Sequence, residues 1–314
     1  MLTSFQIFFL FVTFSQFILG ISGNGFLGFI NCIHWIKRSK ISLSDFIIMN
    51  LAFSRIILQC VVIFDATTLV FDHDFYYGLT LSKIREACWN LSNYLNTWLS
   101  TSLSVFYCLK IAMFSHPAFL WLKWRISQVV ACILLACVLF FFFNTVLLIQ
   151  KFNTYSDLKM RLITNYTEDV RRKEREFYVF QFLGLLPAVI PFMISLFSCL
   201  LLILSLRRHT RMMGHQVNAT RDVSTKAHVR ATIVMFSFLL LFVFHFVIIF
   251  IGIANIFLSF TKLTVIIELA TPVFPSVHSF ILILQNKNLR ETFLRLLWLK
   301  KACMQGWARG SFTH

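Results

Sequence analysis

Five stretches of this chain, residues 1–36, 87–109, 126–150, 177–206 and 231–261, contain no Asp, Glu, Lys or Arg. An α-helix rises about 1.5 Å per residue, so about 20 mainly apolar residues cross a hydrocarbon core. Each stretch is long enough to span a bilayer. Two further windows qualify with exceptions: 46–69 holds Arg55 and Asp65, and 263–286 holds Glu268. The pattern predicts an all-α bundle of seven transmembrane helices, approximately 9–36, 45–69, 87–109, 127–150, 177–206, 230–255 and 263–286, followed by a tail over 287–314. The connections are too short for a separate soluble domain, so residues 1–314 read as one domain.

Composition excludes the alternatives. The chain is 58% apolar and 13% charged, with 38 phenylalanines and a mean hydropathy of +0.76, whereas soluble domains run near about 45–50% apolar and a quarter charged. Ten glycines and five prolines leave no material for a flexible linker. No Lys or Arg precedes the first apolar run, and the run exceeds the h-region of a signal peptide, so it reads as the first span. Asn24 and Asn31, seven residues apart within it, fall near one helical face.

Basic residues set the expected orientation, because short cytoplasmic loops retain Lys and Arg. With the N-terminus outside, 18 of the 29 basic residues fall on the cytoplasmic side, opposed only by Asp222 and Glu291. That side carries a net +16 and the outer loops +2. An extracellular N-terminus and a cytoplasmic C-terminus follow. Charge divided among loops beside a membrane points to anionic inner-leaflet lipid as a partner, not to nucleic acid.

The longest outer loop, roughly 151–176, carries the sequon Asn165-Tyr166-Thr167, and this topology exposes Asn165 to glycosylation. The sequons at Asn90 and Asn218 fall inside a span and in the cytoplasm, so both are expected to remain bare. None of the eight cysteines lies in that loop, which leaves Cys88 at the start of the third span without a disulfide partner there. Cys303, in the basic tail, is a candidate for palmitoylation.

No HExxH, GxSxG, Walker loop or paired CxxC occurs, so neither an enzyme nor a cofactor or metal is expected. Repeated half-helices of the transporter kind are also missing. The third span closes on Ser104-Val105-Phe106-Tyr107-Cys108-Leu109-Lys110-Ile111-Ala112, followed by Phe114-Ser115-His116-Pro117 and Phe119-Leu120-Trp121-Leu122-Lys123-Trp124-Arg125. Leu51-Ala52-Phe53-Ser54-Arg55 lies in the second span, and Leu201 to Thr210 closes the fifth. Ala227-His228-Val229-Arg230-Ala231 and Ser237-Phe238-Leu239-Leu240-Leu241 mark the sixth, and Pro275-Ser276-Val277-His278-Ser279-Phe280 leads the end of the seventh. These blocks together closely resemble the type 2 (bitter) taste receptors, a family of G-protein-coupled receptors. Met113, Val223, Lys226 and Gln285 depart from the family's usual residues. Another chemosensory receptor, or a channel or transporter, is the competing reading.

The resemblance implies a plasma-membrane receptor for small bitter compounds that engages a heterotrimeric G protein of the gustducin or inhibitory type. It implies an agonist pocket at Trp89 and Asn93, which lie four residues apart and share a helical face. Interfacial anchoring of Trp89 and interhelical hydrogen bonding by Asn93 are the structural alternatives. Glu268, the sole charge of the seventh span, is a second pocket candidate or else a structural partner of Lys262. His245 is a third, against the alternative of a histidine satisfied by a neighbouring helix. Arg55 cannot face lipid cheaply and is expected to turn inward near Asn24. Pro187, Pro191, Pro272 and Pro275 permit bends, and His278 belongs with Arg55 among the structural or switch residues. Lys110, Arg207, Arg208, His228 and Arg230 form the expected G-protein-facing rim, with a solvated basic rim as the alternative.

Overall fold

The computed structural model describes residues 3–38, 42–71, 79–163, 167–184, 186–213, 233, 236–252, 261–286 and 289–296. Among them every regular element is a helix. The helices are α1 (Ser4–Arg38), α2 (Leu43–Phe71), α3 (Leu79–Ile111), α4 (Pro117–Trp124), α5 (Ile126–Ile163), α6 (Thr167–Leu183), α7 (Leu186–Met213), α8 (Phe236–Gly252), α9 (Thr261–Ala270), α10 (Val273–Gln285) and α11 (289–296).

Among the described residues, five stretches are long and apolar enough to cross a membrane: Ser4–Lys37, Leu43–Phe71, Ile126–Thr154, Ala188–Arg208 and Val265–Gln285. α8 is apolar but shorter over its described residues. The central helix α3 carries no charge from 87 to 109, yet it is studded with Asn90, Ser92, Asn93, Asn96, Thr97, Ser100, Thr101, Ser102 and Ser104. These residues lower its hydropathy. Freedom from charge and apolarity are different properties, and this stretch of α3 has only the first.

At three places the helices run differently from the apolar windows. The loop over 151–176 is largely helical, because α5 continues to Ile163 and α6 begins at Thr167. Hydropathy does not register a polar helix; α6 is held in part by exposed pairs of Glu176 with Lys173 at 2.9 Å and with Arg172 at 3.3 Å. The window 177–206 is not one helix: α6 ends at Leu183, Gly184 forms a turn, and α7 starts afresh at Leu186. The window 263–286 also divides, at Thr271-Pro272, since a proline lacks the N–H that would continue the ladder.

The packing is inside out relative to a soluble protein. Asn24, Arg55, Asn96, Ser100, Thr101, Ser102 and Ser279 are buried, while Phe11 is 71% exposed and Leu139 and Phe142 exceed 60%. Water penalises both halves of that arrangement, whereas hydrocarbon solvates the apolar exterior and forces polar groups to pair internally. α3 sits at the centre. One cluster joins it to α4, α7, α8 and α10 through Leu109, Phe119, Leu202, Phe242 and Phe274. A second joins it to α1, α2, α5 and α10 through Leu103, Leu27, Ile47, Val130 and Leu282.

Polar seams lie between the apolar layers. Along α3 and α7, Thr101 Oγ1 donates to the Pro191 carbonyl at 3.0 Å, Ser104 and Ser195 hydroxyls meet at 3.0 Å, and Met113 N donates to Ser205 Oγ at 2.8 Å. Small hydroxyl side chains let the two backbones approach closely. Gly20 serves the same purpose for α1: a Cβ there would lie 2.5 Å from Gln59 Nε2 and 2.9 Å from Ser276 Oγ, the two atoms of an α2–α10 hydrogen bond of 2.8 Å.

Candidate ligand-binding and switch site

Arg55, in the middle of α2, is fully buried. Its Nε donates to Asn96 Oδ1 at 2.8 Å, Nη1 to Ser279 Oγ at 3.3 Å, and Nη2 to Ser100 Oγ at 3.3 Å and His278 Nδ1 at 2.6 Å. Ser279 Oγ in turn lies 2.5 Å from Asn24 Oδ1 and 2.7 Å from the Pro275 carbonyl. One guanidinium thus ties α2 to α3 and α10 directly and to α1 through a serine. Hydrogen bonds from a charged donor contribute about 1.5–3 kcal/mol each, enough together to offset a desolvation cost of several kcal/mol per buried ion. Asn24 and Asn31 use their amide N–H groups on the Gly20 and Leu27 carbonyls, at 2.9 and 2.7 Å, and both are buried.

His245 has the opposite surroundings. It is 1% exposed on α8, stacked on Phe274 at 4.9 Å and edge-on to Phe246 at 6.3 Å, and neither ring nitrogen has a hydrogen-bond partner. Phe192, Phe238 and Phe242 complete the aromatic cluster. Phe274 stacks at 5.4 Å on His278 from one side of the network and carries the Arg55 guanidinium 5.4 Å from its centroid. A single phenylalanine therefore joins His245, His278 and Arg55, which the sequence separates by up to 223 residues. Cation–π and ring-pair contacts of this kind are each worth about 0.5–2 kcal/mol.

Trp89 and Asn93 lie on successive turns of α3. Asn93 Nδ2 donates to the Trp89 carbonyl at 3.0 Å, and Asn93 Oδ1 is buried without a partner. Trp89 is half-buried. Among the described residues no hydrogen bond or ring contact joins either residue to His245. Glu268 is half-buried on α9, three residues before the Thr271-Pro272 break. Pro187 stands in the first turn of α7, Pro191 lies inside that helix, and Pro275 is buried in the first turn of α10.

On the basic rim, Lys110 is exposed with its ammonium 5.2 Å from the Phe106 centroid, and Arg207 and Arg208 are exposed on α7. His228, Arg230, Asn165 and Cys303 lie outside the described residues. The other seven cysteines, Cys88 included, are free thiols. No group of His, Cys, Asp or Glu able to hold a metal occurs among the described residues.

Residue-by-residue reading missed two polar sites. Tyr94 Oη donates to the Cys137 carbonyl at 2.7 Å beside Trp98, which is 1% exposed and stacks on Phe140 at 5.6 Å, so this corner locks α3 to α5. Tyr94 and Trp98 are four apart, a spacing that marked them as one face. At the far end of α3, Asp65 pairs with Arg85 at 2.9 Å and Glu86 with Lys151. The opposite charges were visible in sequence, but their pairing across helices was not.

A sequence profile of the family described as taste receptor protein (TAS2R) matches residues 1–301. Taste receptor type 2 member 3 of Papio hamadryas is 42% identical over 304 residues, covering 96% of each chain. The Homo sapiens member 3 is 40% identical over the same length and coverage. Taste receptor type 2 member 7 of Pongo pygmaeus is 40% identical over 300 residues, covering 95% of this chain and 94% of the relative. The family is one of receptors, not of enzymes, and its members are multi-pass membrane proteins. With a helical bundle whose exterior suits lipid and whose interior is polar, this chain belongs to the type 2 taste receptors, G-protein-coupled chemoreceptors of bitter taste.

Proposed function

We propose that this receptor crosses the plasma membrane seven times, with its N-terminus outside, and takes small bitter agonists between the Trp89 end of α3 and the faces of α8 and α9 that hold His245 and Glu268. The observation that carries the pocket is a set of polar atoms that the protein itself leaves unused: Asn93 Oδ1 and both nitrogens of His245 are buried without partners. Buried polar groups are nearly always paired, and an amphipathic ligand with aromatic walls around it supplies the missing bonds. Trp89 and the phenylalanines supply the walls.

Agonist binding acts by population shift, and only its differential affinity for the active bundle counts. Arg55, His278, Pro187, Pro191 and Pro275 are the positions at which the bundle changes shape, because the breaks at Gly184 and Thr271-Pro272 precede the prolines and His278 in α7 and α10, and Arg55 is bonded to His278. Lys110, Arg207, Arg208, His228 and Arg230 then face a heterotrimeric G protein of the gustducin or inhibitory type, beside anionic lipid, and Asn165 carries glycan.

A calcium assay in cells supplied with a suitable G protein tests the reading, using a panel of chemically diverse bitter compounds. Trp89→Ala, Asn93→Ala, His245→Phe and Glu268→Gln at matched surface expression should each change potency for a subset of agonists. Potency unchanged across all four sinks the pocket, and a current that persists without G protein sinks the receptor mechanism. Loss of an endoglycosidase-sensitive mobility shift in Asn165→Gln checks the orientation; its loss in Asn218→Gln instead inverts it.

A further inference from the structure

The Arg55 network holds a positive charge and more donors than acceptors. Among the described residues no carboxylate pairs with Arg55, whose guanidinium stays protonated in proteins. The acceptors around it are already engaged. Asn96 Oδ1, Ser100 Oγ, Ser279 Oγ and His278 Nδ1 all receive its N–H groups. What remains is donors. Asn96 Nδ2 is buried with no partner. Ser100 receives from Arg55 and keeps its own proton to give. Because His278 Nδ1 accepts from Arg55, the imidazole proton sits on Nε2, a third donor. By contrast, Ser104 has acceptors at the Thr101 carbonyl and Ser195, and Ser279 has them at Asn24 and Pro275.

Ser100 and His278, the two side chains that share Arg55 Nη2, also line a cavity of about 10 Å³ between α3, α8 and α10, with Leu103, Phe238, Leu282 and Gln285 among its other walls. A space of that size is at the lower end of the ~10–15 Å³ that one water needs, so a larger guest requires the cavity walls to yield slightly. A guest there meets a hydroxyl and an imidazole N–H, with a buried cation one side chain away.

We propose that this cavity binds a small monovalent anion, chloride being the physiological one, which pairs with Arg55 through Ser100 and His278 and holds α3 against α10. A buried cation without a counter-charge is costly, and an anion reduces that cost while accepting from two of the three surplus donors, the Ser100 hydroxyl and His278 Nε2. Size and charge set the selectivity. Chloride is favoured over the larger iodide, and sulfate is excluded.

The test uses the full chain in lipid nanodiscs, with sodium chloride replaced by sodium gluconate at equal ionic strength. Chloride should raise the melting temperature by about 3 °C at roughly tenfold excess over its dissociation constant. Ser100→Ala should abolish that increment, while Ser102→Ala, a buried serine of the same helix bonded to the Trp98 carbonyl, should retain it. Broadening of the 35Cl resonance by the wild-type receptor, reversed by bromide, gives a readout independent of any variant. Equal melting in the two salts without 35Cl broadening means that the cavity takes only water and overturns the proposal. A chloride increment that survives intact in Ser100→Ala places the ion elsewhere and overturns it equally. None of these outcomes depends on which agonist the receptor takes.

Discussion

Arg55 and His245 touch the same phenylalanine ring from different helices, yet their surroundings are opposites. Arg55 makes four hydrogen bonds, two to α3 and two to α10, while His245 makes none and is enclosed by rings. A polar group that is fully engaged holds the fold together. One that is buried and idle reduces stability, and it persists where another molecule uses it. The contrast separates the part of the bundle that maintains shape from the part that is available to a ligand.

The largest expected effect breaks the engaged side. Arg55→Leu leaves Asn96, Ser279, Ser100 and His278 without their shared donor, and breaking a buried charged network costs about 3–5 kcal/mol. The receptor should fail to reach the cell surface, as measured by an N-terminal epitope on intact cells; normal surface density would deny Arg55 its structural role. Ser279→Ala removes the link from Arg55 to Asn24 together with the bond to the Pro275 carbonyl and should cost about 1–3 kcal/mol, visible as a lower melting temperature with the protein still expressed.

His245→Phe moves in the other direction. It exchanges two unpaired nitrogens for carbon inside an aromatic box and should stabilise the purified receptor by about 1–2 kcal/mol while weakening agonists that hydrogen-bond there. A fall in melting temperature would show that the imidazole is engaged after all. Gly20→Ala introduces a Cβ that must displace the Gln59–Ser276 hydrogen bond, at a cost of about 1 kcal/mol, read from thermal unfolding. The smallest effect lies outside the bundle. The Lys173 ammonium, and then Arg172, hold the exposed Glu176 carboxyl below its usual range. Whatever stability the pairs give is present above the ordinary carboxylate pKa and fades as pH falls through the lowered value, but solvent screens it so strongly that Glu176→Gln should leave melting at neutral pH unchanged.

The helices were legible because charge cannot remain unpaired in lipid, so gaps between charges mark where the chain crosses. The divisions at Gly184 and Thr271 were not, since a break inside an apolar window changes no hydropathy. The extensions over 151–163 and 167–176 were hidden for the complementary reason: a polar helix looks like a loop to a measure of apolarity. At the candidate site, residue types announced themselves singly. Arg55 in an apolar span demanded partners, but those partners lie 41 to 224 residues away, and only the folded bundle names them. The idle state of His245 was equally invisible, because being unpaired is a property of neighbours.

The polar character of α3 bears on how the receptor is made. A helix this rich in amides and hydroxyls gains little by moving from the secretion channel into fatty acyl chains alone. Its amides and hydroxyls find acceptors and donors on α2, where Arg55 takes Asn96 and Ser100, and Ser54 Oγ donates to the Ser92 carbonyl at 3.1 Å. The contacts with α2 are therefore those expected to draw α3 out of water during biosynthesis, and a defect in that pairing should surface as retention in the endoplasmic reticulum before any ligand is met.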